Sequence, residues 1–184
     1  FKNFLFKNGL LINKYSSSKI DFIIAEVCKN LYFPKSSVSV FIYSSSDIQG
    51  LCYPISKNEC IIQLSSGLVN LMNEKELAFV IGHELGHFIL DHGVYDEGYS
   101  TTEKFIKMRA QEISVDRFGL LACRNLDSAM SAMIKTLCGL DEKYIDLDVA
   151  NFINQARLVE KEVHDQSYLE SHPSIVLRCR ALLL

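Results

Sequence analysis

Asn73-Glu74-Lys75-Glu76-Leu77-Ala78-Phe79-Val80-Ile81-Gly82-His83-Glu84-Leu85-Gly86-His87-Phe88-Ile89-Leu90 decides how the rest of the chain reads. Asn73 is a good helix cap, and Glu76 falls three residues on, where a capping box places its acid. Leu77, Val80, Ile81, Leu85, Phe88 and Ile89 leave little polar face, so the spacing predicts a helix from Glu74 to Leu90 that is buried on most sides. Within it stands His83-Glu84-Leu85-Gly86-His87, an H-E-x-x-H pattern. Four residues rise about 6 Å, just over one turn, so both imidazoles project from one face toward one point. Zinc takes histidine nitrogen at ~2.0–2.1 Å, a distance that two ligands from one turn meet without distorting the helix. Glu84 lies roughly 100° around from His83, outside the ligand arc but beside it, where it can take the proton of a water held at the metal. Two histidines and a glutamate on so apolar a helix would cost several kcal/mol to bury without a metal.

A catalytic zinc wants a third protein ligand and an open position. His92 follows five residues after His87, but Leu90 and Gly93 stand where a third-position Gly and sixth-position His would mark a metzincin. The better candidate is Glu112, in Glu112-Ile113-Ser114-Val115-Asp116 on the next long helix, read over Thr101–Arg124. Glu112 and Asp116 share one helix face, so one can bind metal while the other orients a ligand histidine. The apolar Ile113 and Val115 between them argue against a purely solvated acidic face.

Further outward, Ile20, Ile23, Ile24, Val27 and Leu31 recur at helical spacing from about Lys19 to Leu31, with Ser18 as cap and Asp21 as its capping-box acid. Val38–Tyr43 and Glu59–Leu64 read as strands. Asp127–Leu137, Val149–Val163 and Ser174–Leu184 read as further helices, and the first eighteen residues as an arm or an extra helix. The class is α+β, mostly α, with a small N-terminal β-sheet. With three prolines, no repeat and no linker, residues 1–184 are read as one domain. Apolar residues make up 48% and charged residues 22%, with a net charge of −3. That balance offers no footprint for nucleic acid or an anionic membrane surface. No apolar stretch approaches the ~20 residues of a membrane span. Six cysteines at irregular spacing, none in a C-x-x-C pair, read as reduced thiols and point to a reducing, cytoplasmic compartment. The chain starts at Phe1 rather than Met. It is read as a fragment or processed form, from which a targeting or anchoring segment has room to be missing.

H-E-x-x-H followed by a helical glutamate with Asp four residues on resembles the gluzincin arrangement. The finer pattern is similar to the branch containing the CAAX prenyl endopeptidases, the heat-shock membrane protease HtpX and the soluble minigluzincins. The residues that carry it are Gly67-Leu68, Glu76-Leu77-Ala78, His83 to His87, His92, Glu112 to Asp116 with Arg117 and Gly119, and His172-Pro173-Ser174 with Arg178. This resemblance implies a zincin-like metalloprotease domain holding one Zn2+ per chain through His83, His87 and Glu112. It further implies Glu84 as general base, Asp116 behind His83, and His172 near the metal to steady the transition state. Similar enzymes lay a peptide or protein substrate along an edge strand upstream of the zinc helix, a position matched by Cys60, Ile61, Ile62, Gln63 and Leu64. The expected activity is endoproteolysis, by attack of an activated water on a peptide bond.

Three departures stand out. The membrane segments of the membrane-bound members are absent, so prenylated substrates are not implied. Asn58-Glu59-Cys60 replaces the usual Asn-Ala pair, and Arg124-Asn125-Leu126-Asp127 replaces the expected turn after the third-ligand helix. Arg178 is read as binding a carboxylate inside the fold and His164 as a surface residue, while nothing selects among Tyr95, Tyr99 and Tyr168 over a cleft. The rival readings are a zincin-fold binding module without turnover and a latent protease with its metal site occluded by the N-terminal arm or the His172 loop. Retention of Glu84 argues against the former, because a structural zinc has no use for a base.

Overall fold

The computed structural model describes residues 2–92, 101–146, 148–162 and 173–184, with side chains in the third segment described to residue 155. Helices α1 (Lys2–Asn8) and α2 (Ser18–Asn30) flank a two-residue strand β1 (Leu10–Leu11). Strands β2 (Val38–Tyr43), β3 (Gly50–Ser56) and β4 (Glu59–Ser65) follow, then a short helix α3 (Ser66–Leu71). Helices α4 (Glu74–Ile89), α5 (Thr101–Cys123), α6 (Leu126–Cys138), α7 (Val149–Glu162) and α8 (Ile175–Leu182) complete the described elements. The product is a mostly helical α+β fold around a small mixed sheet of order β1-β2-β4-β3.

β2 and β4 run parallel, with Val40 opposite Ile62, whereas β3 folds onto β4 as an antiparallel hairpin with Cys52 opposite Ile62. Because β3 returns directly into β4, it takes the outer position and leaves β4 paired on both sides. β3 escapes a sequence reading because Gly50 and Pro54 both speak against strand. Pro54 is tolerated because β3 is an edge strand, and the register slips between Pro54 and Ser56. The sheet buries Phe41 and Ile61 against Leu5 of α1 on one face. On the other, Val40, Ile62 and Leu64 join the main core with Ile24 and Val27 of α2 and Ile81 and Leu85 of α4. Residues 2–11 thus form a helix that packs on one face of the sheet and a short strand at its edge.

α4 starts as its sequence predicts. Asn73 accepts from the backbone of Lys75 and Glu76, and Glu76 accepts in turn from the Asn73 backbone at 2.8 Å. Ile81 and Leu85 are fully buried, each stabilising the fold by about 1.5–3 kcal/mol. The start of α2 differs from expectation. Its cap is Ser17, whose hydroxyl accepts from Ile20, while Asp21 pairs with Lys35 at 2.7 Å instead of closing a capping box. α4 and α5 approach closely because side chains are missing at the contact. A Cβ on Gly82 would collide with that of Ala122, and one on Gly119 would sit 2.7 Å from the Phe79 ring. Cys28, Cys60, Cys123 and Cys179 are buried free thiols that pack as small hydrophobes.

Candidate metal centre

His83 and His87, one turn apart on α4, bring their Nε2 atoms to 3.3 Å of each other. α5 crosses the same face and delivers Glu112, with one carboxylate oxygen 3.7 Å from His83 Nε2 and the other 3.5 Å from His87 Nε2. One ligand atom from each residue lies within 4.8 Å of the others. Three residues converging in this way could hold a cation between them. An N,N,O set with a buried carboxylate suits zinc.

Behind this face the partners are fixed by ion pairing. Asp116, fully buried one turn along α5 from Glu112, accepts from His83 Nδ1 at 3.0 Å. That bond turns His83 Nε2 toward Glu112 and His87. Arg178, from α8, grips Asp116 with two bonds of 2.8 and 2.6 Å and reaches Glu112 at 3.1 Å. One guanidinium therefore holds both carboxylates of α5 in place, as a planar fork of donors can. Burial would raise the Asp116 carboxyl, but Arg178 and His83 outweigh it and hold it below the usual range. Burial, backed by the positive potential of His83, His92 and Arg178, pushes the His87 imidazole down to about 3 and keeps it neutral.

Glu84 stands beside the three donors rather than among them. Its carboxyl is pushed up by burial and by the nearby Glu112 charge, against the pull of His83 and Arg178. Gly50, where β3 begins, makes room for it, because a Cβ there would come within 3.1 Å of a Glu84 oxygen. His83, Glu84, His87 and Glu112 line one side of a cleft of about 550 Å³, and Gly50, Leu51 and Cys52 of β3 line another. Its walls carry Leu68, Phe79, Val80 and Met133.

The structure thus brings His83, Glu84, His87, Glu112 and Asp116 together. His172, the sixth expected site residue, lies outside the described residues, as do His164, Tyr95, Tyr99 and Tyr168. The expectation that Cys60, Ile61, Ile62, Gln63 and Leu64 form a substrate-accepting edge is corrected: β4 pairs with β2 and β3, so neither edge is open to a peptide. The edge that borders the cleft is β3. The continuous apolar run Cys60-Ile61-Ile62, buried on both faces, was a legible sign of an interior strand. Sequence reasoning also missed Gly50, whose role depends on which helix residue it meets.

The fold and this donor set are compatible with the metallopeptidases, a class of hydrolase whose metal is typically zinc. Residues 15–108 match Peptidase family M48, half of the chain, and the chain belongs to that family. The match takes in His83, Glu84 and His87 and stops short of Glu112. The chain is 25% identical over 203 aligned positions to the plastoglobule-localized metallopeptidase 48 of Arabidopsis thaliana, covering 95% of this chain and 58% of the relative. It is 34% identical over 80 residues to the metalloprotease YcaL of Escherichia coli K12, covering 42% of this chain and 30% of that one. Its fold is similar to the crystal structure of Ste24p from S. mikatae, with a TM-score of 0.51 at 15% identity, over 78% of this chain and 44% of that one. The chain therefore spans less than two thirds of the length of these relatives. Among the described residues, no helix is long and apolar enough to cross a membrane.

Proposed function

We propose that the chain is a zinc-dependent endopeptidase unit, with His83, His87 and Glu112 holding one metal ion and Glu84 serving as general base. The observation that carries this reading is the convergence of His83, His87 and Glu112 beside a separate carboxylate, Glu84, in a cleft bordered by the outer strand of the sheet among the described residues. Zinc bound by such a set supplies a Lewis acid that polarises a scissile carbonyl and acidifies water. Glu84 takes the proton of the attacking water and returns it to the leaving amine, a role suited to a carboxyl whose pKa burial has raised. Asp116 and Arg178 keep His83 and Glu112 oriented through both steps. β3, the outer strand among the described residues, offers its edge to an extended peptide, which would add as a further strand with its scissile bond over Glu84. His172, through the resemblance of its His-Pro turn, supplies a donor to the oxyanion.

The test combines metal analysis with turnover. The purified chain is expected to carry about one zinc per molecule and to cut a mixed peptide library at internal bonds, with activity lost on chelation and regained on adding zinc. A chain that takes up no zinc, or that binds zinc and cuts no peptide under any condition, would overturn the reading.

A further inference from the structure

The two ligand histidines are held by chemically different partners. His83 has the carboxylate of Asp116 behind it. Behind His87 is His92, whose Nδ1 lies 3.2 Å from His87 Nδ1, the rings standing nearly edge to face at 5.3 Å.

The way α4 ends puts it there. The helix closes at Leu90, and Asp91 turns the chain with a φ of 53°, a left-handed conformation that Asp tolerates better than most residues. Asp91 then donates its backbone N–H to the Phe88 carbonyl at 3.1 Å, and His92 donates to the His87 carbonyl at 2.9 Å. These two bonds are a Schellman stop, in which the second residue past the cap folds back on the residue three before it. That pair usually makes an apolar contact. Here it is His92 on His87.

Counting protons assigns the bond between them. Two Nδ1 atoms at this distance share one proton, so one ring donates and the other accepts. His87 turns its Nε2 toward His83 and Glu112, and a neutral ring with a free Nε2 carries its proton on Nδ1. His92 therefore presents the Nδ1 lone pair and keeps its own proton on Nε2. We propose that His92 is the positioning residue for His87, fixing its tautomer and ring angle so that Nε2 is presented to the metal, with the helix stop as the device that aligns the two rings. An imidazole does this without adding charge. Glu84, Asp116 and Glu112 already place three carboxylates at the centre beside the single guanidinium of Arg178, so a neutral acceptor behind His87 spares the site a further anion.

This inference rests on the zinc reading above, and its test separates the two. In the full chain, His92→Leu keeps an apolar contact for the helix stop but removes the acceptor. His92→Asn places an amide oxygen close to where Nδ1 stood. Zinc affinity is measured by competition with a chelator, the melting temperature of the metal-free protein checks the helix stop, and nitrogen-15 NMR of the imidazoles reads the His87 tautomer. The expected result is a zinc affinity lower by about 10–100-fold in His92→Leu, with the Nδ1-protonated form of His87 no longer dominant and the metal-free melting temperature close to wild type. His92→Asn is expected to recover most of the affinity. Zinc bound by His92→Leu as tightly as by wild type, or lost equally from both variants, would overturn the inference and leave the zinc reading standing. Wild-type protein that takes up no zinc would overturn both.

Discussion

α4 carries a buried ionic cluster at each end, and the two are built to opposite ends. At its start Glu76, 1% exposed, accepts from Lys135 at 2.8 Å, from the Ser131 hydroxyl and from the Asn73 backbone. Lys135, equally buried, spends its remaining donors on the Leu71 carbonyl and Glu142. Every acceptor there meets a donor and the central charges cancel, so the cluster ties α6 to the first turn of α4. About two turns along, His83, His87 and Glu112 turn ring nitrogens and carboxylate oxygens toward one another, and Arg178 reaches Glu112 and Asp116 from their far side. Burial of charge is common to both. A set of potential ligand atoms turned toward a cleft belongs to only one, and that set is what the proposed metal centre rests on, where the completed network is a brace.

Removing Glu112 attacks the contrast hardest. Glu112→Ala is expected to lose zinc on dialysis and to drop peptide turnover to background, while Lys135→Met keeps its zinc; metal content of both proteins settles it, and the reverse pattern would merge the two clusters. Glu84→Gln is expected to retain zinc yet lose about 10²–10⁴-fold in kcat, the scale of general acid–base catalysis. Zinc released by that substitution would make Glu84 a ligand. Lys135→Met leaves Glu76 as an unpaired buried charge and is expected to cost about 3–5 kcal/mol of stability, read by urea unfolding, with kcat unchanged in the fraction that folds. A fall in kcat without loss of stability would mean that the brace belongs to the chemistry. Asp116→Asn keeps an acceptor for His83 but removes the charge, and is expected to weaken zinc binding by about 10–100-fold. Affinity unchanged against a chelator would place Asp116 with the bracing ion pairs.

What could be read without coordinates follows from how local each feature is. The burial of α4, its capping box and the shared face of His83 and His87 are determined within a few residues, because helical periodicity and end chemistry act over one turn. The same holds for the face shared by Glu112 and Asp116, so three candidate donors, the carboxylate behind them and the candidate base are legible from spacing and polarity, although the resemblance was needed to say which carboxylate does what. The sequence does not determine which strand is the edge. Cys60 to Leu64 looked well placed for a substrate and proved interior, because β3, weakened in pattern by Gly50 and Pro54, takes the outer place through its hairpin. Nor could the sequence show that Arg178, 62 residues beyond Asp116, forks onto both carboxylates, or that His92 folds back behind His87. Pairings across strands and between distant helices depend on how the whole chain closes, and only the tertiary structure decides them.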